Sequence, residues 1–350
     1  MALQAAGGTP PTNPIKYSQI IAEFGTPTDP NAGLGEFRLG GGEDVGSLVD
    51  VPLDVGVPIT GEIKFSDFYS KRLNQIVDLH SIGNNTVRQD AKDRWTNGNV
   101  HVVGSSKTGK TQPPDTIDDR VIINVNNTIG SAKGTQTHCA VKTGTWDTGT
   151  ILEIKIGTSG KIYGSGGDGG SGGSANNGKG GDAQTGSSAL GIEYACTVEN
   201  LGVIQSGYGG GGGGGGREQT TGGGKKSPAV NNGASGGGGG GGAGLPAGNG
   251  GVSPQNAFGG GTNGNDGGAG TLSGVAIGGA GGNYGADGGD SSPVNNTAVT
   301  GESGEVDNST GGHGAGGDNG YAIITNQGSV PSITGGGTVT GRSLTSSNPT

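Results

Sequence analysis

Hydrophobic positions follow three different patterns along the chain. Near the start they come in a six-residue motif that occurs twice, Ile15-Lys16-Tyr17-Ser18-Gln19-Ile20 and Ile63-Lys64-Phe65-Ser66-Asp67-Phe68. Ser18 and Ser66 are placed to cap short helices. The first would run through Phe24 to a stop at Gly25, and the second would cover 66–73. Between the copies, 34–39 and 48–51 are short apolar pieces broken by Pro and Gly. The pattern predicts a repeat module over 1–79 with little core of its own, which needs a partner surface. Over 75–160 the pattern changes to β-branched runs bounded by Gly, Asn and Pro, at 76–79, 100–103, 121–125 and 151–156. These predict strands and a compact β domain over 80–160, with Trp95 and Trp146 supplying much of its large apolar area.

From 161 onward apolar residues become isolated anchors in a sea of glycine. Two of these stretches repeat. Gly160-Lys161-Ile162-Tyr163-Gly164 follows the strand-like run 151–156, and Gly202-Val203-Ile204-Gln205-Ser206-Gly207 follows the run 194–198. Each then enters glycine-rich chain, a register expected of stacked, solenoid-like units. Of the chain's 86 glycines, 60 lie in 161–320, with unbroken runs at 209–216 and 236–242. Glycine inside a helix or strand costs about 0.5–1 kcal/mol relative to alanine, so this tract is either a flexible tether or a glycine-specific architecture. Polyglycine can adopt a polyproline-II-type helix with three residues per turn and outward-pointing amides. Packed copies would pair those amides and approach closely enough for Cα–H···O contacts. Central helices then require nearly pure glycine, and outer ones glycine at two positions in three. The stretch 166–173 places Asp168 and Ser171 three apart, as an outer helix would; 278–282 and 311–317 also read as outer helices. The anchors at 272–277, Phe258, Tyr284 and 321–324 have no place in a tether. The expectation is a β domain followed by a polyglycine-II helix bundle over 161–325, then a C-terminal strand or tail over 326–350.

Composition supports that division. The chain has 350 residues, of which 28% are hydrophobic and 4% aromatic, too few for an ordinary core of this size. A net charge of −9 offers no basic stripe for nucleic acid. No apolar stretch approaches a membrane span, and the first residues lack a secretory pattern, so assembly in a cytoplasm is expected. Cys139 and Cys196 are expected as two buried free thiols.

The stretch 104–111 matches the P-loop spacing, but Gln112-Pro113-Pro114 follows it where the chemistry needs a helix N-terminus. The Gly-Gly-Asp-Gly-Gly stretch at 166–170 lacks the apolar position of calcium-binding nonapeptide repeats. The four histidines show no metal-ligand spacing, and no serine sits in a nucleophile elbow. The expectation is therefore no enzyme, no metal and no cofactor. The inter-run loops 217–221, 225–232, 245–258 and 290–308 should gather at one or both ends of the bundle. Tyr208, Phe258 and Tyr284 are candidate aromatic anchors there, with Arg217, Lys225, Lys226 and Leu245 as further contact candidates.

The stretch 186–216, running through Ala189-Leu190-Gly191-Ile192-Glu193-Tyr194 into the octaglycine tract, resembles the glycine-rich distal parts of tailed-phage tail-fibre proteins. It is similar to the receptor-recognising adhesins at T-even-type fibre tips, and the tail with Gly320-Tyr321-Ala322-Ile323-Ile324 and Gly335-Gly336-Gly337 fits how such sequences close. The resemblance implies a glycine-rich sandwich carrying variable loops that touch a bacterial surface protein or glycan. It implies a virion location, other phage tail or fibre proteins as partners, no nucleic acid and no membrane insertion; trimeric fibres suggest a homotrimer for the N-terminal portion. The paired N-terminal motifs look like repeats of virion proteins, which makes Ile15, Tyr17, Ile20, Phe24, Ile63, Phe65, Phe68 and Tyr69 the candidate attachment residues. A structural tail, baseplate or capsid appendage without receptor contact is the alternative. An ice-binding protein built on the same helix type, and a depolymerase, are further readings.

Overall fold

A computed structural model describes residues 14–24, 33–37, 61–70, 74–79, 89–90, 101–103, 120–144, 146, 148–174, 178–215, 217–221, 230–231, 237–254, 306–310, 314–347 and 349. Among them the chain is mostly β with little helix. The two N-terminal motifs form α1 (Tyr17–Phe24) and a 3-10 turn (Phe65–Phe68). The serine caps expected at Ser18 and Ser66 are not used, because helical geometry begins one residue earlier. Instead the Lys16 N–H donates to Gln19 Oε1 (2.8 Å) and the Lys64 N–H to Asp67 Oδ2 (2.7 Å), so the fifth motif residue reaches back over the turn. The second helix is correspondingly shorter than the expected 66–73.

The module has a small core. Ile15, Ile20, Phe37 and Phe68 are buried together, flanked by half-buried Tyr17, Ile63 and Tyr69. Phe37 lies between the two repeats in sequence and edge-stacks on both Tyr17 (5.9 Å) and Phe68 (6.1 Å). Three candidate attachment residues, Ile15, Ile20 and Phe68, are therefore spent on internal packing, whereas Phe65 is exposed. The side chain of Phe24 lies outside the described residues.

The β-branched runs build a parallel solenoid. Its first strands are β1 (Asn74–Leu79), β2 (Gln89–Asp90) and β3 (His101–Val103). The next coil contains β4 (Arg120–Val125), β5 (Thr128–Ile129) and β6 (Cys139–Lys142), and the following one β7 (Ile151–Ile156), β8 (Lys161–Tyr163) and β9 (Ser188–Ile192). Then come β10 (Cys196–Asn200) and β11 (Val203–Gln205), followed by β12 (Arg217–Thr221), β13 (Val230–Asn231) and β14 (Val306–Thr310), with β15 (Ile323–Thr325) returning to the solenoid. The last coil is β16 (Ile333–Thr334), β17 (Thr338–Thr340) and β18 (Ser343–Leu344). Three faces result: β16-β10-β7-β4-β1-β3, β17-β11-β8-β5 and β18-β15-β9-β6-β2. All pairings within them are parallel except β1 with β3.

Register explains the apolar pattern. Inward positions stack into ladders, Ile123–Ile154–Val198–Ile333 on one face and Ile129–Ile162–Ile204 on the next, where Val339, in register with Ile204, is exposed. The repeat read at 160–164 and 202–207 is thus two rungs of one ladder, with Ile162 paired to Ile204. The limits expected near 80, 160 and 325 fall between strands that pair across them: β1 precedes the first, and β9 to β11 and β15 to β18 extend faces that include β4 to β8. The indole N–H of Trp146 donates to the Thr143 carbonyl (2.7 Å) at a coil corner, and Arg120 meets Glu153 through Nε (2.8 Å) and Nη2 (3.0 Å to Oε2) on the outer face. Cys139 is buried, but Cys196 is only half-buried, a correction to the expected pair of buried thiols; neither is in a disulfide.

Glycine-rich chain leaves the solenoid at one corner, between the second and third faces, in two successive coils. Segments g1 (164–174) and g2 (178–187) lie between β8 and β9. Segments g3 (206–215), g4 (237–242), g5 (247–254) and g6 (314–322) lie between β11 and β15. They run side by side, and their hydrogen bonds recur every third residue. From g1, the amides of Gly167, Gly170 and Gly173 donate to the carbonyls of Tyr208, Gly211 and Gly214. From g3, Gly207, Gly210 and Gly213 donate to Ser187, Gln184 and Gly181, and Tyr208, Gly211 and Gly214 donate to Ala243, Gly240 and Gly237. Segment g6 donates to g3 from Gly314, Gly317 and Gly320. With four neighbours, g3 is buried throughout, whereas in g6 burial itself repeats every third residue at Gly314, Gly317 and Gly320.

Two predictions follow from the packing. A Cβ on Gly212 would stand 2.0 Å from the Gly314 carbonyl oxygen, whereas one on Gly336 would meet nothing within 4 Å. Gly212→Ala should therefore lower unfolding free energy by about 1–3 kcal/mol or more and Gly336→Ala by no more than about 0.5 kcal/mol, measured by denaturant unfolding. Burial pushes the Cys196 thiol up from 9.0 to about 12. The folded state keeps the proton that the unfolded chain releases near 9, so this contribution is complete below pH 9 and lost as pH rises towards 12. Unfolding curves between pH 8 and 11 should show that decline, and Cys196→Ser should flatten it.

Candidate binding surface

The ends of the glycine segments define two levels. Gly164, Gly207 and Gly320 adjoin β8, β11 and the start of the return to β15, so this end is held by the solenoid. The opposite end is marked by Gly173, Gly214, Gly237 and Gly314, which are tied to one another through g3. From this far end g3 continues into β12, β13 leads into g4, and β14 leads into g6. Those three strands pair antiparallel in the order β13-β12-β14, with Arg217 opposite Thr310 and Thr221 opposite both Val306 and Val230. Loops that are far apart in sequence are thereby gathered into one small sheet. Its sequence is polar, Arg-Glu-Gln-Thr-Thr in β12 and Val-Asp-Asn-Ser-Thr in β14, a composition suited to hydrogen bonding.

The candidate contact residues do not all reach this level. Arg217 opens β12 and does. Tyr208 does not: it is fully buried in g3, where the Tyr208 N–H donates to the Ala243 carbonyl, so it serves the interior and is no surface anchor. Leu245 lies at the wrong end. Its N–H donates to the Gly164 carbonyl and its carbonyl accepts from the Ser131 N–H, which places it half-buried against the solenoid in a turn with a cis Leu245-Pro246 bond. Lys225, Lys226, Phe258 and Tyr284 lie outside the described residues, as do 272–277, the P-loop-like stretch 104–111 and Trp95. On g5 Val252 is 64% exposed near the far end, a position that sequence reasoning passed over because a lone valine among glycines carries no periodic signal.

Side chains tie the outer segments. Asp168 of g1 meets Lys133 Nζ at 2.5 Å and accepts the Asn249 N–H at 2.7 Å. Asp182 of g2 accepts the Ala315 N–H at 2.9 Å and meets Lys179 Nζ at 3.3 Å. Asn319 Oδ1 accepts the Gly209 N–H at 3.1 Å. At the solenoid end the Arg342 guanidinium lies 4.8 Å from the Tyr321 ring centre. Among the described residues no group of three His, Cys, Asp or Glu side chains could hold a metal ion, and no helix is long and apolar enough to cross a membrane.

The Ala315 amide, and then Lys179, hold the Asp182 carboxyl below its usual 3.8. A depressed folded value means that the carboxylate's support is present above 3.8 and lost as pH falls through the lower folded value. An NMR titration of side-chain carboxyl carbons should find Asp182 among the last to protonate, and the Ala315 amide should move with it.

Residues 94–344 match the family model described as "Phage tail fibre adhesin Gp38". Among solved structures, the "gp37-gp38 adhesin tip complex of the bacteriophage S16 long tail fiber" is similar at 19% identity, over 83% of this chain and 89% of that one, with a TM-score of 0.36. A search of curated proteins finds no match.

Proposed function

The chain belongs to the phage tail fibre adhesin Gp38 family, and from that premise we propose that it binds the host surface through the β12–β14 sheet. Membership makes it a receptor-binding virion protein of the tail fibre rather than an enzyme. The observation that carries the finer reading is the convergence of β12, β13 and β14 on the far ends of g3, g4 and g6.

In this reading the glycine segments are polyglycine-II helices. A partner change at every third residue is what three residues per turn produces, and a rise of about 3.1 Å per residue carries the nine residues from Gly207 to Gly215 over about 28 Å. The sheet thus stands well clear of the solenoid. The polar strands suit a bacterial surface protein or glycan. The N-terminal repeat module serves as the end that docks onto other tail-fibre protein, with exposed Phe65 among its contacts. The S16 fibre tip pairs a gp38 with a gp37, and a fibre protein of that kind is the proposed partner here. The solenoid is the rigid middle piece between docking end and bundle.

The test keeps the full chain, since the solenoid needs strands on both sides of the glycine excursion. Replacing the polar residues of 217–221 and 306–310 by alanine should reduce adsorption to host cells about tenfold or more while leaving the unfolding transition of the solenoid in place. Undiminished adsorption by the folded variant would favour a structural appendage at this position.

A further inference from the structure

Glycine backbones that pair at every third residue cannot by themselves fix their register. If g6 slid along its neighbours by one triplet, each Gly314-, Gly317- and Gly320-type bond to g3 would re-form one step along, at the loss of the end bonds and of the Asn319 side chain's bond to the Gly209 N–H. The same ambiguity affects weakly patterned strands. Something other than glycine must mark where each segment stops.

The same two-point contact occurs twice, on different segments. In g2 the Asp182 carboxylate accepts the Ala315 N–H at 2.9 Å, and the next residue, Ala183, donates its own N–H to the Ala315 carbonyl at 2.9 Å. In g1 Asp168 accepts the Asn249 N–H at 2.7 Å, and Gly169 donates to the Asn249 carbonyl at 2.9 Å. Both aspartates end a Gly-Gly-Asp triplet, 166–168 and 180–182. Both join segments that run parallel, since the bonds of g1 to Pro246, Asn249 and Val252, and those of g2 to Ala315 and Asp318 continued by Ala189 of β9 to Tyr321, advance together. Asp318 also ends a Gly-Gly-Asp triplet, yet makes no such contact among the described residues.

We propose that Asp168 and Asp182 are register clamps, and that Asp182 is a positioning residue for the host-binding sheet. Ala315 follows the last residue of β14 by five positions. One triplet of slippage in g6 would carry β14 about 9 Å along the bundle and break its register with β12. The clamp acts through the acceptor oxygen, so it is a property of shape and hydrogen bonding rather than of charge. The proposal rests on the β12–β14 reading for its functional half only.

The test compares Asp182→Ala, Asp182→Asn and Asp318→Ala in the full chain. Amide exchange is read at Ala315 and across 306–310, and adsorption is read on host cells. Asp182→Ala should raise exchange at Ala315 about tenfold and lower adsorption. Asp182→Asn, which keeps an acceptor oxygen, should restore both, and Asp318→Ala should match the unmodified chain in both. Unchanged Ala315 exchange in Asp182→Ala would overturn the clamp, and so would an Asp182→Asn variant as impaired as the alanine. If adsorption survives Asp182→Ala but is lost when β12 is replaced, the positioning role is overturned. If it survives both, the host-binding sheet has been misplaced, and the exchange data alone decide the clamp.

Discussion

Contact between bare main chains governs this molecule. A methyl group on Gly164, Gly207 or Gly213 would come within about 2 Å of a carbonyl oxygen on a neighbouring segment. Apart from Tyr208, large side chains are excluded from the interior of the bundle by geometry, so the hydrophobic effect that builds the solenoid has little purchase there. Hydrogen bonds between segments take its place, and water must be kept from them for those bonds to count. The solenoid and the bundle are therefore stabilised by different forces. Isoleucine and valine ladders hold one, and amide-to-carbonyl pairing holds the other.

The two parts need each other. Each glycine excursion starts and ends on adjacent solenoid faces, which sets the spacing of g1 from g2 and of g3 from g6. Buried serines mark the seam. Ser165 Oγ donates to the Ala132 carbonyl, the Ser165 N–H donates to Ser187 Oγ, and Ser188 Oγ accepts the Tyr321 N–H while donating to the Gln136 carbonyl. Small hydroxyls suit a place where the chain passes from a packed apolar core to close-set backbones. They satisfy amides that neither ladder nor triplet pairing reaches.

Much of this was legible in the sequence, and the limits are instructive. The strands at 121–125 and 151–156 announced themselves through β-branched runs, and the paired Gly-x-Ile turns revealed stacking before any register was known. The family resemblance at 186–216 pointed to the fibre adhesins. A solenoid interrupted by long insertions has no compositional edge: the strands at 196–200 and 323–325 look like islands in a linker until their pairing is seen. Tyr208 was misread for the same reason. An aromatic at the head of an octaglycine run suggests an exposed anchor, but the run is central and the ring is enclosed with it. The serine caps failed on a single-residue offset, since Gln19 and Asp67 reach back to the amides that Ser18 and Ser66 were expected to flank. The far-end sheet could not be read from β12 or β14 alone, because the 84 residues between Thr221 and Val306 hide their adjacency.

The late arrival of β15 bears on how the chain is made. β9 and β11 emerge from the ribosome well before their neighbours β15 and β17, with the longest glycine excursion in between. Closing such a loop costs only slowly more entropy as it lengthens, but contacts so distant in sequence delay folding. Until residues 314–344 are synthesised, the seam at Ser188 and the third face of the solenoid stay open, and g3 lacks g6. A chain that stops between 205 and 323 lacks the strands that complete these ladders, so quality control is built into the order of translation: the corner closes only once β15 has been made.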